Sequence, residues 1–190
     1  MKKRIVIFAS GSGTNAENII KYFQRTQFAE VVRVLSNKKD AKVLDRGEKL
    51  GVNTVFFTKD ELFSEEGVLK ILKESKPDII VLAGFLLKFP ENILKEFPNK
   101  VINIHPALLP KYGGKGMYGN SVHEAVVKNN EAETGITIHY VNENYDEGAI
   151  ISQKKVTLSK NETPETVAEK VHILEYEWFP KIIEEVLRNG

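Results

Sequence analysis

The sequence lacks cysteine, an excess of either charge and any long hydrophobic run, and each absence narrows the function. Without cysteine, the chain has no disulfide, no cysteine-based zinc or iron–sulfur site and no thiol nucleophile. Its 27 basic and 26 acidic residues give a formal net charge of +1, which argues against a general binder of nucleic acid or membrane surfaces. The apolar run at residues 5–9 is too short for a signal peptide, and no run reaches transmembrane length. We therefore expect a cytoplasmic protein, and its charge balance is compatible with a small anionic substrate held by a local site.

Short apolar runs alternate with amphipathic segments along most of the chain. The pattern predicts strands over residues 4–9, 30–35, 54–57, 79–82 and 100–105, and helices over 15–23, 41–50, 59–74 and 90–97. The run at 79–82 does not alternate, which is typical of a strand buried on both faces. After residue 134 the pattern predicts two alternating strands, 134–141 and 149–156, and a helix from 164 to about 188. We predict one α/β domain over residues 1–190, with a Rossmann-like, doubly wound, mostly parallel sheet and an antiparallel edge.

The loop SGSGTN at residues 10–15 follows the first predicted strand. Backbone N–H groups at the start of the next helix favour a bound phosphate there, with side-chain donors from Thr14 and Asn15. The alternative is a simple turn with a serine or threonine N-cap. The loop also fits a loose dinucleotide fingerprint, but the second strand ends in LSNK without the acidic residue that would bind a ribose, which argues against NAD.

Asn103 and His105 lie two residues apart at the end of a predicted strand, so both side chains are on one face of the sheet. An amide donor beside a ring that titrates near neutral pH can stabilise an oxyanion and move a proton. The alternative is a structural histidine at a strand end. Ligands of open α/β sheets bind at the carboxyl ends of the strands, which favours the functional interpretation.

Two loops and three other histidines complete the candidates. The acidic turn at residues 142–148 is either solvated surface or the source of a carboxylate for His105. The loop at 111–120 has four glycines and is either a plain connector or a cover for the site. The remaining histidines, His123, His139 and His172, show no metal-ligand spacing, and we expect no metal.

The segment NIHPALLPKY at residues 103–112 resembles the signature of the formyltransferases that use 10-formyltetrahydrofolate. Four further segments fall in the order of that family: SGSGTN (10–15), LAGF (82–85), GITIH (135–139) and DEGAIISQ (146–153). The resemblance covers nearly the whole chain. It implies the formyltransferase fold and the transfer of a formyl group from 10-formyltetrahydrofolate, as co-substrate, to an amine. No metal and no covalent enzyme intermediate are implied.

The resemblance also implies roles for individual residues. Asn103 would donate to the formyl oxygen, His105 would be the proton donor, and Asp146 would raise the pKa of His105 and hold a water molecule. The ribose phosphate of the acceptor would contact Gly13, Thr14, Asn15 and Glu175. The folate would lie along Leu86, Leu87, Lys88, Phe89 and Asn103.

Within this family, the phosphate loop favours the amine of glycinamide ribonucleotide as acceptor, a step of purine synthesis. We expect neither the C-terminal domain of the methionyl-tRNA enzymes nor the N-terminal domain of the formyltetrahydrofolate hydrolases. We also expect the protein to be a monomer or a homodimer. An amino sugar nucleotide as acceptor, a hydrolase, and a nucleotide-binding domain without catalysis remain alternatives. Many relatives carry arginine where this chain has Leu87 and near residues 64–66, so the contacts to the folate end are expected to differ.

Overall fold

The computed structural model describes residues 1–190, and its seven strands form one sheet in the order β3-β2-β1-β4-β5-β6-β7. The strands are β1 (Lys3–Phe8), β2 (Ala29–Ser36), β3 (Asn53–Phe56), β4 (Ile79–Leu82), β5 (Val101–His105), β6 (Glu133–Tyr140) and β7 (Ile150–Thr157). The first five strands pair in parallel, whereas β6 and β7 pair antiparallel at one edge. The predicted fold class is thereby confirmed.

Helices cover both faces of the sheet. They are α1 (Thr14–Thr26), α2 (Lys42–Lys49), α3 (Lys59–Phe63), α4 (Lys70–Ser75), α5 (Glu91–Glu96), α6 (Asn120–Lys128) and α7 (Pro164–Asn189). Ile5 and Ile7 of β1 pack into the larger core, beneath α1, α6 and α7, whereas Val6 and Phe8 pack into the core beneath α3, α4 and α5. Alternate side chains of β1 are thus buried on both faces, as a doubly wound sheet requires. None of the helices is both long and apolar enough to cross a membrane.

The single helix predicted over residues 59–74 is wrong, because the structure breaks it at Ser64. Ser64 is extended, with φ −87° and ψ 144°, and its hydroxyl accepts a hydrogen bond from the N–H of Glu66 at 3.3 Å. The next segment, Glu65–Leu69, is kinked at Gly67, which has a non-helical ψ of −120°. A Cβ on Gly67 would lie 2.1 Å from the carbonyl oxygen of Glu61. The apolar spacing of the segment matches a helix, but these local contacts override it.

The direction in which strands are added to the sheet reverses next to β1. β2 and β3 lie on one side of β1, and β4 and β5 lie on the other. The loops that follow β1 and β4 therefore diverge at the carboxyl end of the sheet and leave a crevice between them. Strand β5, which ends at His105, borders the same crevice because it pairs with β4.

Candidate active site

A cleft of about 670 Å³ lies at the carboxyl ends of β1, β4 and β5. Its walls come from the loop after β1, the segment 83–86, the end of β5, the loop 114–119 and one turn of α7. A smaller hollow of about 70 Å³ shares Asn103 and Asp146 with the cleft. Every residue that the sequence assigned to the site lines one of these two cavities.

Asn103, His105 and Asp146 come together at the bottom of the cleft. Asn103 and His105 are the third and last residues of β5, and His105 is only 3% exposed. Asp146 lies in the turn between β6 and β7, where its φ is +57°. Its Oδ2 lies 3.5 Å from Nδ1 of His105. Of the two interpretations of the acidic turn, the structure therefore supports a carboxylate for His105.

His139 joins this group, although no metal-ligand or catalytic spacing pointed to it. It lies opposite Asn103 in the antiparallel pairing of β5 with β6. Its Nε2 is 3.1 Å from Nδ2 of Asn103 and 3.6 Å from Oδ1 of Asp146. The register of two strands, which would have revealed His139, is not readable from either strand alone.

Backbone carbonyls determine which nitrogen of each histidine carries a proton. The Nε2–H of His105 donates to the carbonyl oxygen of Tyr112 at 2.7 Å, and the Nδ1–H of His139 donates to that of Tyr140 at 2.8 Å. In its neutral form, His139 then accepts from the amide of Asn103 through Nε2. The neutral ring of His105 likewise presents an unprotonated Nδ1 to Asp146. A second proton, bound at Nδ1, would give His105 a positive charge and make it an ion pair with the Asp146 carboxylate.

The pKa of His105 differs from the expectation based on Asp146 alone. Burial lowers the pKa of His105 and outweighs the opposing effects of the Asp146 carboxylate and the carbonyl of Tyr112. Asp146 thus raises the pKa of His105 as expected, while burial makes the net shift downward. Burial would also raise the pKa of Asp146, but the proximity of His139, the charge of His105 and the N–H of Gly114 hold that pKa below its usual value.

Buried hydrogen bonds hold the loop that leaves β5. Thr137 is fully buried, and its hydroxyl donates to the carbonyl of Ala107 at 2.7 Å and accepts from the N–H of Leu109 at 3.0 Å. The amide of Gln153 donates to the same hydroxyl and to the carbonyl of Leu109. These bonds fix the direction in which the chain leaves His105.

The glycine-rich loop lies along the cleft instead of extending into solvent. The N–H of Gly114 donates to Oδ2 of Asp146 at 3.0 Å, on the oxygen that faces His105. A Cβ on Gly113 would lie 2.5 Å from Cδ2 of Leu109, so this loop packs closely against the segment that leaves β5. The loop is therefore part of the site, which excludes the interpretation as a plain connector.

The loop after β1 presents unused N–H groups to the cleft. None of the backbone N–H groups of residues 11–16 donates within the protein, and the first bonded N–H of α1 is that of Glu17. Gly13, the N-cap residue of α1, has a φ of +75°, and a Cβ there would lie 2.4 Å from Cβ of Val43. No side chain caps α1, so the alternative interpretation, a simple turn with a serine or threonine N-cap, does not hold. The row of N–H groups at a helix N-terminus favours an anion.

Acceptor groups lie beside this row. Nδ2 of Asn15 donates to Oε2 of Glu175 at 2.9 Å, although the two residues are 160 positions apart. Glu175 is buried, and burial raises the pKa of its carboxyl against the opposing effects of Asn15 and His172. Oδ1 of Asn15 is buried without a hydrogen-bond partner. Donors such as hydroxyl groups would satisfy these free acceptor positions.

The predicted folate residues line the other side of the site. Leu86 is 39% exposed at the cleft, and its N–H is fixed by the hydroxyl of Ser10 at 3.1 Å. Leu87, Lys88 and Phe89 line the smaller hollow, where Lys88 is the one lysine or arginine. Phe89 lines the hollow, and its ring is held in place by edge-on packing against the ring of Phe8, with 5.2 Å between the ring centroids.

Comparisons with known proteins identify the family of this chain. The family described as Formyl transferase matches residues 3–183. A phosphoribosylglycinamide formyltransferase of Bacillus subtilis is 31% identical over 190 residues, covering 97% of this chain and 95% of that protein. A chloroplastic phosphoribosylglycinamide formyltransferase of Arabidopsis thaliana is 34% identical over 96% of this chain, which spans 64% of the length of that protein.

Solved structures support the same relationship. The crystal structure of a phosphoribosylglycinamide formyltransferase from Bacillus halodurans superposes with a TM-score of 0.87 at 35% identity, covering 97% of this chain and 95% of that one. One from Anaplasma phagocytophilum superposes with a TM-score of 0.89 at 30% identity, covering all of this chain and 89% of that one. The chain belongs to the formyl transferase family.

Proposed function

We propose that this chain transfers the formyl group of 10-formyltetrahydrofolate to the amine of glycinamide ribonucleotide, giving formylglycinamide ribonucleotide. The observation that carries the proposal is the continuity of one cleft. Its loop after β1 suits a phosphate, its acceptor pair suits ribose hydroxyls, and its far end holds an amide, a histidine and a carboxylate. The names of the related proteins from Bacillus subtilis and Bacillus halodurans support the same acceptor.

The ribonucleotide binds along the first half of the cleft. The free N–H groups of residues 11–16, including those of Gly13, Thr14 and Asn15, surround the phosphate, whose charge the dipole of α1 stabilises. The carboxylate of Glu175 and Oδ1 of Asn15 accept hydrogen bonds from the ribose hydroxyls. This orientation directs the amine of the substrate towards Asn103 and His105.

The reaction proceeds through a tetrahedral intermediate. The amine attacks the formyl carbon, the carbonyl oxygen becomes an oxyanion, and the bond from carbon to N10 of the folate then breaks. Asn103 donates an N–H to the oxyanion, and its other N–H is held by His139, which fixes the amide plane. His105, when protonated at Nδ1, donates to the same oxygen. The attacking amine loses one proton and N10 gains one, so the reaction needs no net proton.

Asp146 makes the protonated form of His105 accessible. Burial disfavours the charged ring, and the carboxylate 3.5 Å from Nδ1 offsets part of that cost. The N–H of Gly114 holds the same carboxylate oxygen in place. The folate lies on the opposite side, along Leu86 and past Leu87, Lys88 and Phe89, as a co-substrate and not as a bound cofactor. A cytoplasmic location and a monomeric or homodimeric state belong to the same proposal.

The experiment that tests this function mixes the purified protein with glycinamide ribonucleotide and a 10-formyl folate and follows the deformylated folate by absorbance. Release that depends on the ribonucleotide supports the proposal. Release without the ribonucleotide indicates a hydrolase, and release only with an amino sugar nucleotide changes the acceptor; either result contradicts the proposal.

A matched pair of variants connects the activity to the site. His105→Ala removes the proton donor and is expected to lower turnover by about 10²–10⁴-fold. His172→Ala, at a histidine that lines the cleft but is not beside Asn103 or Asp146, is expected to retain most of the turnover number. Circular dichroism establishes that both variants are folded. A fully active His105→Ala variant would exclude the assigned role.

A further inference from the structure

His123 is a buried histidine that lines the cleft and has no hydrogen-bond partner. It is the fourth residue of α6 and is 3% exposed. Neither ring nitrogen forms a hydrogen bond within the protein, and Nδ1 is fully buried. A buried polar group left without a partner costs about 1–3 kcal/mol, so this arrangement destabilises the unliganded protein. The other nitrogen, Nε2, is not fully buried, so a ligand in the cleft can supply its missing partner.

The position of His123 along the cleft indicates which part of a ligand it meets. It lies close enough to both His105 and His172 for their charges to affect its pKa. His172 in turn lies close enough to Glu175 to affect the pKa of that carboxyl. Glu175 and His172 lie one helical turn apart on α7, which packs against α6, and His105 ends β5 in the same cleft. His123 is placed between the acceptors suited to a ribose and the group that transfers the proton.

The protonation state of His123 defines the chemistry that it offers. Burial, reinforced by the charges of His172 and His105, lowers its pKa to about 4. At neutral pH the ring is uncharged, with one N–H donor and one nitrogen acceptor. A secondary amide can complement Nε2 in either tautomer of the ring, because it has both an N–H donor and a carbonyl acceptor.

We propose that the imidazole of His123 hydrogen-bonds the amide group that joins the ribose of glycinamide ribonucleotide to its reacting amine. The inference rests on the proposed function, from which it takes the acceptor substrate. Glycinamide ribonucleotide has this amide between its ribose and its amine, which is the position of His123 between Glu175 and His105. His123 is thus a substrate-binding residue that fixes the arm carrying the nucleophile, and it takes no part in proton transfer.

The first test compares three variants by steady-state kinetics with both substrates. His123→Phe removes both hydrogen-bonding groups and is expected to raise KM for glycinamide ribonucleotide about tenfold, with KM for the folate changed less than twofold. His123→Asn restores one donor and one acceptor and should recover part of the affinity. Val126→Ala is the control, since Val126 is buried on the same helix but does not line the cleft.

Two kinetic results would overturn the inference. The first is an unchanged KM for the ribonucleotide in His123→Phe. The second is an equal rise of that KM in Val126→Ala, because displacement of α6 would then explain both effects. Thermal unfolding of each variant identifies any loss of the folded state before the constants are compared.

A second test observes the ring directly and separates this inference from the proposed function. The chain has four histidines, so their Cε1–H signals in an NMR spectrum are few, and the signal missing from His123→Asn identifies His123. Glycinamide ribonucleotide is expected to shift that signal, whereas ribose 5-phosphate, which lacks the amide, is expected to shift it much less. Equal shifts with the two ligands, or no shift with either, would overturn the inference. A shift by the ribonucleotide without formyl transfer would contradict the proposed function but support the contact.

Discussion

Folding stability should depend on pH through His123, even in the absence of any substrate. His123 is 3% exposed and unpartnered, and burial followed by the charges of His172 and His105 lowers its pKa from 6.5 to about 4. The unfolded chain therefore binds a proton at this residue below pH 6.5, whereas the folded protein resists protonation until about pH 4. Below pH 6.5, protonation of His123 therefore stabilises the unfolded chain relative to the folded protein, which lowers the free energy of unfolding.

The size of the effect follows from the two pKa values. One pKa unit corresponds to 1.36 kcal/mol, so the shift from 6.5 to about 4 represents about 3 kcal/mol in full. At pH 7, His123 has almost no effect on the free energy of unfolding. As the pH falls below 6.5, protonation of His123 in the unfolded chain lowers that free energy progressively, and the full reduction is reached near pH 4. Between pH 7 and pH 4.5 the expected loss is about 2 kcal/mol.

Urea unfolding of the wild type and of His123→Asn at pH 7 and pH 4.5 measures this loss, with circular dichroism and the fluorescence of the single tryptophan as probes. Carboxylates and the other histidines titrate in both proteins, so their contributions cancel in the difference between them. The variant should gain about 2 kcal/mol of stability relative to the wild type at the lower pH. A difference between the two proteins that does not change with pH would refute the reasoning.

Four further predictions concern the site. Asp146→Asn removes the carboxylate that favours protonated His105, so we expect turnover to fall about 10²-fold. The limb of the kcat–pH profile that is due to His105 should also move to lower pH, and an unmoved limb would contradict the role of Asp146. Gly13→Ala places a Cβ against Val43 at a φ of +75° and should raise KM for the ribonucleotide at least tenfold, with KM for the folate nearly unchanged. Thr137→Val leaves the buried partners of its hydroxyl unpaired and should cost about 2–3 kcal/mol in urea unfolding; a loss below 0.5 kcal/mol would show that the loop relaxes. Lys88→Ala should raise KM for the folate a few-fold and leave that for the ribonucleotide unchanged, and the reverse pattern would move the folate elsewhere.

Periodicity predicted the sheet well because burial determines it. The run at residues 79–82 forms β4 and is buried throughout, and the alternating segments after residue 134 form the antiparallel edge. The same reasoning failed over residues 59–74, where apolar residues at helical spacing continue through a break. Ser64 and Gly67 produce that break through a hydrogen bond to the backbone and a close approach to another carbonyl. Neither effect changes the hydrophobic pattern.

The candidate site was predictable where two residues share a short motif. Asn103 and His105 are two positions apart on one strand, so their common face follows from strand geometry alone. The contact between Asn15 and Glu175 spans 160 positions and could be expected only from the family resemblance. His139 lies between these cases, since it faces Asn103 across two strands whose register no local pattern gives.

The protonation of the site depends on backbone groups, which nearly every type of residue supplies alike. The carbonyls of Tyr112 and Tyr140 set the tautomers of the two histidines, and the N–H of Gly114 holds the carboxylate between them. Any residue able to adopt the φ of +56° at Tyr112 would supply the same carbonyl, so the phenol ring there is not needed for the chemistry of His105. The motif in the sequence therefore identifies the reacting side chains, whereas the fold of the glycine-rich loop determines where their protons lie.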